Sequence, residues 1–192
     1  MYFTRNLKEI LNNKSNKRLI FIHTPKCGGT YVNTILSHLK IQSKGHNQSI
    51  PGEGITFTVI RNPVERFESL LNYRLGEKLP RNDWPKHLWY AYKDNRITLN
   101  EIFSKMTNSQ ILGFSPYKTL KYWSTNVDII ITLEELPTML KYFGYVYDEQ
   151  LFKPVNVSQK IRGKLNEENI NRLKLLYHDD IILYNKVVTP SF

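Results

Sequence analysis

The residues best placed to do chemistry lie in two short turns. Thr24-Pro-Lys-Cys-Gly-Gly-Thr30 sets a lysine just before paired glycines and a hydroxyl just after them. Gly28 and Gly29 lack Cβ atoms, so the backbone there can turn sharply and come close to a ligand. A helix that starts near Thr30 aims its unpaired N–H groups and its positive dipole end into the turn. Lys26 adds a full charge. The combination suits a phosphate or a similar tetrahedral anion. The Walker order Gly-x-x-x-x-Gly-Lys-Ser/Thr is absent, because this lysine precedes the glycines.

The second turn is Arg61-Asn-Pro-Val-Glu-Arg-Phe-Glu-Ser69. Arg61 follows an apolar strand, where its planar fork can grip an anion through two hydrogen bonds. Asn62 and Pro63 read as N-cap and first helical residue. Ser69 then falls seven residues past the cap, about 10 Å along the helix. An anion lying against this helix would meet Arg61 on one side and Ser69 on the other. Arg66 is available to the same region or to Glu65 and Glu68.

Proton transfer needs a base, and an imidazole with an ordinary pKa near 6.5 accepts a proton at neutral pH. Of the five histidines, His46 lies in the loop Lys44-Gly-His-Asn47. His23 reads as a residue that packs or hydrogen-bonds at a strand end, and His38, His87 and His178 as surface residues.

These residues need a scaffold, and strand-turn-helix units supply it. Arg18 to His23 is a short apolar run fit for a buried parallel strand, and Thr30 to Lys40 follows with Val32, Ile35, Leu36 and Leu39 on one helical face. Ile55 to Ile60 is a second strand, followed by a helix with Val64, Phe67, Leu70 and Leu71 inward. Val127 to Thr132 is a third, leading to a helix that Gly144 ends. Asn166 to Val188 reads as one more helix. Residues 76–125 hold shorter helical patterns, where Trp84, His87, Trp89, Tyr90 and Tyr92 alternate with Arg81, Lys86, Lys93 and Arg96. Such a mixture fits either an acceptor surface or a small helical core with a basic face. Strands alternating with helices predict an α/β fold with a mainly parallel sheet, with ligands beyond the carboxyl ends of its strands.

The two turns together resemble those of sulfotransferases that use 3′-phosphoadenosine 5′-phosphosulfate (PAPS), closest to the carbohydrate, heparan sulfate 2-O-sulfotransferase-like group. Phe21 to Thr30 is similar to that family's 5′-phosphosulfate loop, and Val59 to Ser69 to its 3′-phosphate segment. Weaker likenesses are Val127 to Leu136, Asn156-Val-Ser158, Leu165 to Glu168 and Tyr177 to Asp180. The resemblance implies a three-layer P-loop-NTPase-like fold and a single domain over residues 1–192, with 1–17 as an extension and 76–125 choosing the acceptor. It implies that Lys26 stabilises the leaving phosphate oxygen, and that Pro25, Lys26, Cys27, Gly28, Gly29, Thr30 and Tyr31 hold the 5′ end. Arg61 and Ser69 would hold the 3′-phosphate, and Ser158 and Lys160 would approach the nucleotide. Gly45-His46 is similar to the element that supplies the base, which makes His46 the strongest candidate of the five histidines. Glu53 is the reserve, because some sulfotransferases use a carboxylate. The implied donor is PAPS, the product 3′,5′-ADP, and the acceptor a carbohydrate hydroxyl. The chemistry calls for no metal, since Lys, Arg and helix N-termini supply the positive charge.

Composition narrows the setting. The 192 residues carry 27 Lys and Arg against 17 Asp and Glu, a net charge of +10, with 41% hydrophobic and 12% aromatic residues. That is too apolar for a disordered polyelectrolyte, so the charge sits on a folded body. The excess between Arg81 and Arg96 favours an acidic acceptor over nucleic acid. Cys27 is the lone cysteine, which excludes an internal disulfide and a multi-thiolate zinc site. The first 17 residues hold no long apolar run, so neither a signal peptide nor a membrane anchor is expected. A cytoplasmic enzyme of bacterial or viral origin is the resulting expectation. Animal relatives of this type, by contrast, carry a membrane anchor. Two other readings stay open at this point. A nucleotide-dependent phosphotransferase would use Ile129 to Glu134 as a degenerate Walker B strand. A non-catalytic polyanion-binding protein would account for the charge but not for two ordered loops.

Overall fold

A computed structural model describes residues 1–13, 18–47, 54–81, 84–113, 118–148, 150 and 163–189. These residues divide into two compact units. The first is drawn from residues 1–61, 120–157 and 182–192, the second from 62–119 and 158–181.

The first unit is an α/β sandwich around a five-stranded sheet. Its strands are β1 (Tyr2–Phe3), β2 (Leu19–Ile22), β3 (Gln42–Ser43), β4 (Ile55–Ile60) and β5 (Ile129–Thr132), in the order β1-β5-β4-β2-β3. The last four run parallel, while β1 pairs antiparallel with β5. Every residue of β2, β4 and β5 is buried, as expected of strands covered on both faces. Side chains alternate along them. Leu19, Phe21, Ile55, Phe57, Val59, Ile129 and Ile131 pack with Ile10 of α1 (Leu7–Asn13), Val32, Ile35 and Leu36 of α2 (Gly29–His38), and Leu136, Met139 and Leu140 of α8 (Leu136–Tyr142). On the opposite face Ile60 and Ile130 pack with Cys27, with Leu120 of α7 (Leu120–Ser124), and with Val187 of α10 (His178–Val188). Burying each of these large side chains contributes about 1.5–3 kcal/mol. Gly144 ends α8 in the left-handed conformation (φ 79°), and the Tyr145 N–H reaches back to the Leu140 carbonyl at 3.0 Å.

The chain steps from β2 outward to β3, then crosses back to lay β4 on the other side of β2. The strand order therefore reverses between β2 and β4. In open parallel sheets that reversal opens a crevice at the carboxyl ends of the two strands. The two turns singled out above leave from β2 and β4.

The segment expected as an extension builds part of this unit. Tyr2 and Phe3 pair with Ile130 and Ile129. The carboxylate of Asp128, fully buried, accepts from the Thr56 N–H at 2.9 Å, the Thr56 hydroxyl at 2.8 Å and the Arg5 guanidinium at 2.6 Å.

The second unit is helical, with α3 (Pro63–Gly76), α4 (Lys86–Lys93), α5 (Leu99–Lys105), α6 (Asn108–Leu112) and α9 (Glu167–Leu176). Phe67, Leu70, Leu71, Leu75, Ile102 and Phe103 form its core together with Trp84 and Trp89. Both tryptophans are buried, so the aromatic run is helical core at these two positions, while His87 and Tyr90 are exposed. Arg66 and Glu68 differ from their expected places on a solvated or ligand-facing side. Both are buried: Arg66 donates to the Lys118 carbonyl at 2.9 Å and faces Asp180 at 3.9 Å, and Glu68 accepts from the Leu165 N–H at 3.0 Å. Arg66 is thus a structural cation. The helix expected over Asn166 to Val188 is two helices, α9 and α10. They break at Tyr177, whose ring is buried and whose hydroxyl donates to the Ile111 carbonyl at 3.2 Å. Among the described residues no helix is long and apolar enough to cross a membrane.

Candidate functional site

The turn after β2 is held at both ends. Thr58 on β4 donates its hydroxyl to the Ile22 carbonyl at 2.8 Å, which leaves the Thr24 hydroxyl to donate to Thr58 at 2.7 Å. All three groups are buried, so the exit of β2 is clamped to β4. The backbone then alternates. Lys26 (φ 65°) and Gly28 (φ 80°) are left-handed, whereas Pro25, Cys27 and Gly29 are not. Such alternation gathers successive N–H groups on one concave side. A lysine held left-handed costs about 1–2 kcal/mol.

At the end of the turn, α2 begins at Gly29 with Gly28 as N-cap, and no side chain caps it. The N–H groups of its first turn lack intrahelical partners. Leu133, just past β5, packs over Gly28. Gly29 is required by a neighbour, because a Cβ there would overlap the ring of His23.

Lys26 and Arg61 come together in this unit. Partial burial lowers the Lys26 pKa, and the charge of Arg61 lowers it further. An anion beside Lys26 would offset both the burial and the neighbouring Arg61 charge. This donor set fits an anionic group: an uncapped helix start, a concave run of N–H groups and two converging cations.

His46 reaches the same end of β2 through strand register. Ile20 and Phe21 pair with Gln42 and Ser43 of β3, and the ladder runs on past the strand. The Lys44 N–H bonds the Phe21 carbonyl at 3.0 Å, and the His23 N–H bonds the Gly45 carbonyl at 2.8 Å. The exposed His46 ring is thereby laid on the half-buried His23 ring, with centroids 4.2 Å apart. Its Nδ1 lies 2.9 Å from the His23 carbonyl oxygen. A carbonyl only accepts, so Nδ1 carries the hydrogen and Nε2 keeps its lone pair outward. Trp123 of α7 meets His46 edge-on at 6.0 Å.

Thr30 is exposed in the first turn of α2. The buried Cys27 thiol joins the apolar cluster with Ile60 and Leu120 and donates to the Pro25 carbonyl of the turn at 3.7 Å. Tyr31 packs half-buried against the core. Ser69 lies half-buried on α3 in the second unit. Glu53, Ser158 and Lys160 lie outside the described residues. His23 packs and hydrogen-bonds at the strand end, as its place after an apolar strand predicts. Trp123 carries no sequence signal for this site, since it stands 77 residues from His46 along the chain.

Fold and site together define an α/β protein in which a glycine-rich turn carrying Lys26 lies with Arg61 of the neighbouring strand end and an oriented imidazole. The chain matches no protein-family model, no curated protein and no solved structure.

Proposed function

We propose that this protein is a PAPS-dependent sulfotransferase of P-loop-like architecture that acts on a hydroxyl, with a carbohydrate as acceptor. One observation carries the reading. Lys26 and Arg61 leave adjacent parallel strands at the point where strand order reverses, and the Arg61 charge acts on Lys26. The resemblance of both turns to the donor-binding segments of sulfotransferases supplies the identity of the anion.

PAPS, when bound, supplies the sulfuryl group and departs as 3′,5′-ADP with the electron pair of the broken sulfur–oxygen bond. Lys26 and the first-turn N–H groups of α2 bind the 5′ end and stabilise the charge that grows there. Arg61 binds the 3′-phosphate. His46 takes the acceptor's hydroxyl proton on Nε2 as the new oxygen–sulfur bond forms. Nδ1–H stays on the His23 carbonyl throughout, so the imidazolium is stabilised where it arises. An acidic acceptor suits the cations between Arg81 and Arg96.

Thermal shift with 3′,5′-ADP against ATP plus magnesium tests the reading. A rise in melting temperature with 3′,5′-ADP is expected. Stabilisation by ATP plus magnesium alone would move the chain to the phosphotransferases, and salt-sensitive polyanion binding with no nucleotide response to the binding proteins.

A further inference from the structure

The turn and the base meet through one side chain. The His23 ring stacks on Phe21 at 5.8 Å and lies against His46 at 4.2 Å with the planes tilted by 32°, and it fills the space beside Gly29. We propose that His23 is a positioning residue: its ring holds the His46 imidazole in one orientation and one tautomer, and ties that base to the first turn of α2. The inference rests on His46 as the base, which belongs to the function proposed above.

A single Nδ1–H bond to a carbonyl leaves an exposed imidazole free to swing about that bond. Two further contacts remove the freedom. His23 covers one face, and the edge-on Trp123 limits the ring from α7. Nε2 is then the only nitrogen open to a substrate. The first helical residue of α2 and the base are each in contact with the same ring, so movement of one is felt by the other.

Charge supports this arrangement. Burial and the neighbouring His46 hold the His23 pKa down to about 4, so the stacked ring is neutral when His46 takes up a proton. A second imidazolium at 4.2 Å would oppose that uptake. The other charged groups on the elements around His46 are Lys44 in its own loop, Lys26 in the turn after β2, and Lys121 beside Trp123 on α7. Tyr122 is the further titratable group on α7, and Trp123 itself is uncharged.

The test is ¹⁵N imidazole NMR of the full chain from pH 4.5 to 8.5 in the wild type, His23→Phe and His23→Ala. In the wild type, His46 should show the Nδ1–H form. His23→Ala leaves one face of the His46 ring uncovered, so the ring should swing and its two tautomers should mix. His23→Phe keeps a neutral ring in the stack and should restore the single form. In sulfuryl transfer, kcat should fall in the alanine variant more than the donor KM rises.

An unchanged His46 tautomer in all three proteins would overturn the positioning role. If His23→Ala does not fold, His23→Leu replaces it, filling the space without an aromatic face, and the tautomer and the split of kcat against KM decide. A wild-type chain that shows the expected His46 behaviour but gains no stability from 3′,5′-ADP would overturn the sulfotransferase reading instead.

Discussion

The ring of His23 occupies the space into which any side chain at position 29 would have to project. Gly29 is therefore required by a contact, whereas Gly28 is required by its backbone, at φ 80°. The two glycines of the turn do different work.

Gly29→Ala should push His23 off its seat. Overpacking of this kind costs about 1–3 kcal/mol, or about 2–4 °C of melting temperature per kcal/mol in a chain of this size. Combined with His23→Ala, the second change should cost less than it does alone, with a coupling of about 0.5 kcal/mol or more. Strictly additive melting shifts would show that the contact is not the constraint.

Lys26 couples strain to binding. Lys26→Gly relieves a left-handed lysine and should stabilise the ligand-free chain by about 1 kcal/mol. The same change should abolish most of the stabilisation by 3′,5′-ADP. Arg61→Ala should leave the fold intact and weaken 3′,5′-ADP binding by about ten- to a hundredfold, as expected for a lost charge-assisted contact. Calorimetry and melting curves read both halves. Unchanged affinity in either variant would remove that residue from the site.

Arg66, five residues from Arg61, should behave in the opposite way. Arg66→Ala leaves Asp180 buried without its cation and the Lys118 carbonyl without its donor. Loss of one buried partner costs about 3–5 kcal/mol. Urea unfolding should show the loss directly. A stable Arg66→Ala protein that fails only in nucleotide binding would contradict a structural role.

Acid should weaken the fold through His23. Its pKa is about 4 in the folded chain against 6.5 in the unfolded one. The unfolded state therefore binds the proton more tightly. The stability of the neutral ring is complete above pH 6.5 and is lost as pH falls from 6.5 towards 4. Melting temperature should fall across that window in the wild type and less steeply in His23→Phe, where carboxylates still titrate but position 23 does not. Parallel curves for the two proteins would refute the assignment.

Much of the scaffold is legible locally. β4 runs over the same residues, Ile55–Ile60, that its apolar pattern predicts. The Asn62 side chain accepts from the Val64 N–H at 3.0 Å, and Pro63 opens α3, as a capping sequence dictates. These features depend on near neighbours, which the sequence lists in order. β1 and β3 are legible in no such way. Each has two residues, and they become strands only because β5 and β2 present edges to pair with. Arg66 and Glu68 look like charges on a helix surface until Asp180 and the Leu165 N–H, about a hundred residues away, turn them inward.

By itself, the order of residues determined the pieces of the site. These are a lysine before two glycines, an arginine before a capped helix, and a histidine after a glycine, each set by rules that act over a few residues. The tertiary structure alone decided that they belong together. The reversal of strand order sets the Lys26 turn beside Arg61, and the parallel register of β2 with β3 lays His46 on His23. Parallel pairing joins segments that are never neighbours in the chain, so its register depends on the packing of the whole sheet. No local pattern of residue types encodes it.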